Sequence, residues 1–346
     1  MKITDFDYQL PRELIAQFPA KRRDESRLLI INRKTGRIKH SRFKEIAGMF
    51  TPADALALND TKVKPARLIG KIKEKDIDIL LVERVKKNCY YVLAKPGRKL
   101  KPKAIISFGD NKYQAEAVDS DYAIAQGMKM IEFKQDEDIE AVLGNIGVMP
   151  LPPYIKREAA AIDGARYQTI YAKIPGAIAA PTAGLHFTEA TINQIKALNI
   201  SIIYLTLHVG LGTFLPVKVE DIRAHKMHKE YYELSSNSAA EIEKVKRSGG
   251  RICAVGTTVT RVLETCAGEE TAFTLKPGKG QTDLFIYPPY EFKSVDMLLT
   301  NFHLPKTTLL MLVCAFASTE LVLEAYNKAV EEKYRFFSYG DAMLII

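Results

Sequence analysis

Residues 63–134 carry five short runs of branched and aromatic side chains, at 77–85, 89–94, 104–108, 113–118 and 128–133. Turn-forming groups separate them: Lys86-Lys87-Asn88, Pro96-Gly97, Gly109-Asp110-Asn111 and Asp119-Ser120-Asp121. Several short strands at this spacing predict a small all-β barrel or sandwich, because each strand is too short to bury its apolar face alone. A short helix is expected at about 137–143. Pro150-Leu151-Pro152-Pro153 then marks a stiff boundary, since residues that precede proline resist the helical region.

The flanks have a different pattern. Residues 27–32 and 38–41 predict a hairpin turning at Thr35-Gly36, and 11–15 a short helix opened by Pro11. From Tyr154 onward helix and strand signals alternate. Thr188 can cap a helix that runs to about 198, and 200–207 follows as a strand. Ser238 with Glu241 fits a capping box for a helix ending near Gly249-Gly250. Residues 251–255 and 283–287 are expected as strands; 307–317 and 319–333, and the segment after Gly256-Thr257-Thr258, as helices. This succession points to a multi-domain α/β protein, its main domain a mixed, barrel-like α/β core. Sixty-two residues make a poor core by themselves. The expected organisation is therefore a discontinuous main domain, 1–62 with 154–346, and an inserted β-barrel domain, 63–153.

Composition narrows the function classes. The 346 residues are 47% hydrophobic and 26% charged, enough for a full core. The densest apolar run, 309–317, is about half the ~20 residues needed to span a bilayer, so no membrane partner is expected. Met1-Lys2 is followed by Thr4-Asp5-Phe6-Asp7 rather than an apolar stretch, and Cys89, Cys253, Cys266 and Cys314 form no CxxC pair. Reduced cysteines in a cytoplasmic protein are the expectation. The formal net charge is +9. Lys62, Lys64, Arg67, Lys71, Lys73, Lys75, Lys86, Lys87, Lys95, Arg98, Lys99, Lys101 and Lys103 make 62–103 distinctly basic, a surface suited to a polyanion.

Ligand sites in α/β folds lie in loops at the carboxyl ends of strands. Several loops here carry polar residues in that place, and five of the six histidines fall in them. The first is Ala180-Pro181-Thr182-Ala183-Gly184-Leu185-His186. A histidine titrates near neutrality, so His186 suits acid–base work, with a structural histidine as the alternative. Gly210 and Gly212 follow His208 in a glycine-rich loop that lets backbone approach a ligand, although the dinucleotide fingerprint is absent. His225 and His228 would share a face if that segment were helical; without HEXXH or a cysteine cluster, no metal site is expected. Val255-Gly256-Thr257-Thr258, with Arg261 one turn on, suits a phosphate or carboxylate. Thr300-Asn301-Phe302-His303 and the stretch from Tyr334 through Arg335 and Tyr339 to Asp341 complete the set.

Taken together, the strings APTAGLHFT (180–188), LHVGLGTF (207–214), HKMHKEYYEL (225–234), AVGTT (254–258), TNFHLPKTTLLMLVCAF (300–316) and EEKYRFFSYGDAMLI (331–345) resemble the S-adenosylmethionine:tRNA ribosyltransferase-isomerase family of queuosine synthesis. ELIAQFP (13–19), SRLL (26–29), NDTKVKPARLIG (59–70), MPLPPYI (149–155) and YQTIYAK (167–173) extend the likeness over essentially the whole chain. The departures are local: Lys71-Ile72-Lys73-Glu74-Lys75 stands where a glycine pair is expected, Val259-Thr260 and Cys314 replace slightly different small residues, and 264–282 is compact.

The resemblance implies transfer and isomerisation of the ribosyl part of S-adenosylmethionine onto 7-aminomethyl-7-deazaguanine at a tRNA wobble position. Adenine and methionine leave, and no permanently bound cofactor takes part. A sulfonium acidifies its neighbouring 5′ protons, departing adenine needs a proton, and the attacking amine must be unprotonated, so two or three histidines could divide the work. On that resemblance His186 or His208 is the base, and His303 and His228 handle protons of adenine or amine. Thr182, Thr257 and Thr258 hold hydroxyl or carboxylate groups. Arg261 pairs with the methionine carboxylate. Arg335, Tyr339 and Asp341 face the deazaguanine, and Gly184, Gly210, Gly212 and Asn301 line the substrate. The expected partners are tRNA and S-adenosylmethionine, with the protein a monomer. A non-catalytic tRNA-binding protein and a metal hydrolase using His225 and His228 are the competing readings.

Overall fold

The computed structural model describes residues 1–125, 127–210, 212, 217, 219–268 and 273–346. The chain divides into two compact units. One comprises Met1–Lys62, Pro153–Arg157 and Arg166–Ile346; the other comprises Val63–Pro152 and Glu158–Ala165. The fold is mixed α/β, with a nine-stranded mixed sheet in the first unit and a closed antiparallel barrel in the second.

The barrel runs Arg67–Ile72, Lys75–Lys86, Cys89–Lys95, Lys129–Phe133, Tyr113–Val118 and Ile105–Phe108, and closes where Gly70 and Lys71 pair with Phe108 and Ser107. Ile77, Ile79, Leu81, Val92, Ile106, Phe108, Ala115, Ile131 and Phe133 fill the buried positions. Closure restricts residue 70: a Cβ there would lie 2.5 Å from the Phe108 ring, so only glycine fits without displacement. The strand Arg67–Ile72 is the one the hydrophobic pattern did not announce. Its inward residues are Leu68 and Gly70, while Arg67 is half-buried and Ile69 and Lys71 are exposed, so the expected apolar alternation is blanked by a glycine. The helix after the barrel strands spans Ile139–Ile146 and starts at Asp138, whose carboxylate accepts the Glu140 N–H at 3.1 Å.

In the larger unit the strand order is Gly278–Thr282, Glu230–Leu234, Ser201–Leu207, Ala55–Asn59, Ile252–Val255, Met297–Asn301, Ala342–Ile345, Arg27–Ile31 and Ile38–Arg42. Ser201–Leu207, Ala55–Asn59, Ile252–Val255 and Met297–Asn301 are mutually parallel. Every residue of Ala55–Asn59, Ile252–Val255, Met297–Asn301 and Ala342–Ile345 is buried, as a sheet covered on both faces requires. On one face Leu28, Ile30, Leu56, Leu58, Val255, Leu299 and Leu344 pack with Phe43, Phe187, Ile192 and Ile195. The helix Thr257–Cys266 packs against five of the strands. The apolar run predicted as a core helix is Thr308–Ala317, almost wholly buried. No single helix among the described residues is long and apolar enough to cross a membrane.

Three local expectations are corrected. The helix after residue 234 is capped by Ser235, whose hydroxyl accepts the Ser238 N–H at 3.1 Å; Ser238 spends its own hydroxyl on the Tyr204 carbonyl. Residues 283–287 are not a strand. The ladder lies earlier, at Gly278–Thr282, and ends where Thr282 meets Glu230, the first residue of its partner. Two glycines in that strand hid it, and the rings of Phe285 and Tyr287 pack on each other instead. Residues 225–229 are not helical, so His225 and His228 do not share a helix face.

Candidate active site

The four parallel strands end on one rim of the sheet, and the side chains with chemistry collect there. Ser201–Leu207 runs into His208, Ala55–Asn59 into Asp60 and Thr61, Ile252–Val255 into Gly256, and Met297–Asn301 ends at Asn301 itself. Ala342–Ile345 runs the opposite way with Ala342 beside Asn301, and Leu28 sits beside Ala342, so Asp341 and Ser26 reach the same rim. A rim at the carboxyl ends of parallel strands is the standard place for a ligand in such sheets.

A cleft with an empty volume of about 480 Å³ opens there, lined by Ala180, Pro181, Thr182, Ala183, Val209, Gly256, Thr257, Thr258, Thr300, Asn301, His303, Leu309, Phe337 and Ser338. Five of the six loop strings singled out in the sequence therefore meet in one place. Gly256 has φ +98°, a region side-chain-bearing residues rarely adopt, and its N–H bonds to the Leu299 carbonyl at 2.8 Å. No side chain caps the helix that follows, so its first N–H groups, at Thr257 and Thr258, sit in the cleft wall with the positive end of the helix dipole.

Asn59 ties the rim together. Its Oδ1 accepts the N–H groups of Thr61 and Leu207, both at 3.1 Å, while Nδ2 donates to the Leu207 carbonyl at 2.9 Å and to Thr258 Oγ1 at 3.4 Å. Sequence reasoning passed over Asn59, Asp60, Thr61 and Ser26. The available signal was a polar Asn-Asp-Thr closing an apolar run, the mark of a buried strand emerging at a site. Burial raises the Asp60 carboxyl; the Thr206 hydroxyl, which donates to it at 2.7 Å, and the charges of Lys173 and His208 oppose that rise.

The four histidines expected to be catalytic separate. His186 and His303 are both buried, and burial lowers each from 6.5 to about 3; at His186 the cations Arg23 and Arg335 add to the effect. Such rings are neutral at physiological pH and make weak bases. His303 Nε2 is bonded to Thr300 Oγ1 at 2.9 Å. His208 is half-buried, with Nδ1 bonded to Thr61 Oγ1 at 2.8 Å and its ring stacked on Tyr231 at 5.5 Å. His228 is exposed and lies against Gly212; of the four, His303 alone is among the cleft-lining residues, while His208 adjoins the cleft-lining Val209.

The other candidates sort similarly. Thr182, Thr257, Thr258 and Asn301 line the cleft. Gly184 is a packing position, because a Cβ there would run into the Tyr171 hydroxyl. Gly210 donates its N–H to Glu230 at 2.8 Å. Arg261 does not offer its guanidinium to a ligand: it is buried, ion-paired with Glu230, and bonded to the carbonyls of Leu284 and Thr282. Asp341 accepts the N–H groups of Arg27 and Arg335, both at 2.8 Å, and Arg335 donates to the Phe18 carbonyl. Both residues hold chain segments together. Tyr339 lines a second cleft of about 280 Å³ with Arg23, Ser26, Arg166, His186 and Ser338. Leu211, Thr213 and Phe214 of the glycine loop lie outside the described residues. Among the described residues no three His, Cys, Asp or Glu side chains gather as metal ligands.

A family model described as queuosine biosynthesis protein matches residues 3–345. The chain belongs to that family. An S-adenosylmethionine:tRNA ribosyltransferase-isomerase of Halothermothrix orenii is 51% identical, covering 100% of both chains. Its counterparts in Acetivibrio thermocellus and in Staphylococcus epidermidis are each 48% identical over the same full extent. Among solved structures, S-adenosylmethionine tRNA ribosyltransferase from Thermotoga maritima matches with 37% identity and a TM-score of 0.56, over 99% of this chain and 100% of that one.

Proposed function

We infer that this protein is an enzyme, an S-adenosylmethionine:tRNA ribosyltransferase-isomerase. It transfers and isomerises the ribosyl part of S-adenosylmethionine onto 7-aminomethyl-7-deazaguanine at the tRNA wobble position, releasing adenine and methionine in queuosine synthesis. The observation that carries this reading beyond a binding function is the meeting of five family strings around one cleft, on the rim where six strand ends converge.

The cosubstrate occupies that cleft, its carboxylate drawn to the uncapped N–H groups of Thr257 and Thr258. Proton abstraction falls to His208, whose chain neighbour Val209 lines the cleft, because the two buried histidines at about 3 are poor bases and the exposed His228 belongs to a segment with no residue in the cleft wall. The larger unit is the catalytic domain and the smaller unit the inserted barrel domain. Exposed Lys62, Lys71, Lys73, Lys75, Lys87, Lys95, Arg98, Lys101 and Lys103 hold the tRNA backbone. The protein works as a cytoplasmic monomer without a permanently bound cofactor.

The deciding assay incubates the protein with S-adenosylmethionine and tRNA carrying the deazaguanine precursor. Free adenine together with a heavier tRNA nucleoside is the expected result; tRNA binding without adenine release would favour the non-catalytic alternative.

A further inference from the structure

Asn301 stands in the cleft wall with its amide orientation settled. Nδ2 donates to the Phe337 carbonyl at 3.0 Å and meets His186 Nε2 at 3.2 Å. A carbonyl can only accept, so the atom facing Phe337 is the amide nitrogen, and its second hydrogen points to His186. Nε2 must therefore be the acceptor and the ring proton sits on Nδ1. That proton goes to Ser26 Oγ at 2.7 Å, and Ser26 passes its own to the Arg23 carbonyl at 3.1 Å. The chain from Asn301 through His186 and Ser26 is directional, with every donor matched to an acceptor. Phe43 stacks on the imidazole at 5.1 Å and fixes its plane.

This arrangement leaves His186 with no ring nitrogen for a substrate. It also leaves Asn301 with one unused polar atom. Oδ1 is buried and has no partner, on a residue that is 1% exposed and lines the cleft. Buried amide oxygens nearly always have a donor, and an orphan at a site marks a group completed by a ligand.

We propose that the cosubstrate supplies an N–H donor to Asn301 Oδ1, and that His186 is the positioning residue that holds the amide for it. The inference rests on the transferase reading, which names S-adenosylmethionine as that cosubstrate. Its N–H groups are the α-ammonium and the exocyclic amino group of adenine. An amide oxygen shielded from water favours either over a ribose hydroxyl, the ammonium most, because charge-assisted bonds are stronger.

The test uses the full-length enzyme with precursor tRNA. His186→Ala and Asn301→Ala are each expected to raise the KM for S-adenosylmethionine by about tenfold, the worth of one buried hydrogen bond, with the KM for tRNA unmoved. The double variant loses little more than either single one. His186→Gln, whose side-chain oxygen can accept from Asn301, recovers most of the loss and keeps the parent pH–rate profile. A His186→Gln variant as inactive as His186→Ala, or one missing a limb of that profile, makes His186 an acid–base group and overturns the proposal. If the alanine variants fail to fold, His186→Gln and Asn301→Ser carry the same comparison.

Two analogues identify the donor: one lacking the α-amino group, one lacking the adenine amino group. Calorimetric binding to the parent and to Asn301→Ala should show the penalty of that substitution vanishing for one of them. If the penalty persists undiminished with both, no N–H reaches Oδ1 and the proposal fails. A parent that neither binds S-adenosylmethionine nor releases adenine refutes the transferase reading instead, which separates the two failures.

Discussion

Glu230 and Arg261 form a buried ion pair, with side chains 3% and 4% exposed, and the other Glu230 oxygen takes the N–H of Gly210. The arginine read in the sequence as a ligand for carboxylate is thus satisfied from inside the protein. Removing one member of such a pair leaves an uncompensated buried charge. Arg261→Met alone is expected to lower stability by roughly 3–5 kcal/mol, and Arg261→Met with Glu230→Leu to recover much of it. Urea unfolding of the two variants measures this. Were Arg261 a carboxylate anchor, Arg261→Met would weaken S-adenosylmethionine binding out of proportion to its effect on stability.

Acid should destabilise the protein earlier than its carboxylates alone would. His186 and His303 drop from 6.5 to about 3 in the folded state, so the unfolded chain binds protons there while the folded chain does not. Stability then falls as pH falls from about 6.5 toward 3 and is fully retained above that window. Between pH 6 and 5 each histidine should contribute a slope of roughly 1 kcal/mol per pH unit. His303→Gln is expected to remove about half of the slope that His186 and His303 contribute together in urea titrations at stepped pH, whatever it does to stability at neutral pH. An unchanged slope would mean that His303 is charged or exposed when folded.

Gly176 lies against the His208 ring, where an added Cβ would sit 2.5 Å from its Cε1 and Nε2. Gly176→Ala should push the imidazole off Thr61 while overpacking the region by about 1–3 kcal/mol. Adenine release is expected to fall at least about tenfold, with most of the thermal stability kept, because a misplaced base costs rate steeply. A variant with normal turnover would remove His208 from the chemistry.

The basic hairpin of the barrel can be tested through salt. Lys71, Lys73 and Lys75 are exposed where Arg67–Ile72 turns into Lys75–Lys86, whereas Arg67 and Lys64 are paired with Asp78 and Glu140. Replacing the three by glutamine should weaken tRNA binding and lower the slope of log affinity against log salt by about one for each phosphate no longer neutralised. Binding of S-adenosylmethionine should not change. A slope unaffected by the substitutions would place the RNA backbone on another surface.

Local chemistry carried much of the fold into the sequence. The hairpin of Arg27–Ile31 with Ile38–Arg42, the helix capped by Thr188 and the barrel strands from Lys75–Lys86 onward are each written in neighbouring residues, because periodicity, caps and turns are short-range. Elements that depend on distant partners were not legible. Arg67–Ile72 reads as a basic stretch until barrel closure puts Gly70 against Phe108, and Gly278–Thr282 reads as a loop until Glu230–Leu234 pairs with it.

The same division runs through the site. The histidine, threonine and glycine loops were visible by residue type and by their place after apolar runs, enough to identify the family. Which of them act together was decided by the sheet, whose strand order brings Ser26, Asn59, His208, Thr258 and Asn301 to one rim from positions far apart in the chain. Burial and hydrogen bonding then set each role: His186 reads from sequence as a base, but in the fold it is a neutral ring fully engaged by Ser26 and Asn301. A residue's type limits the chemistry it can do, while the solvent it loses and the partners it meets, which are properties of three dimensions, select among those chemistries.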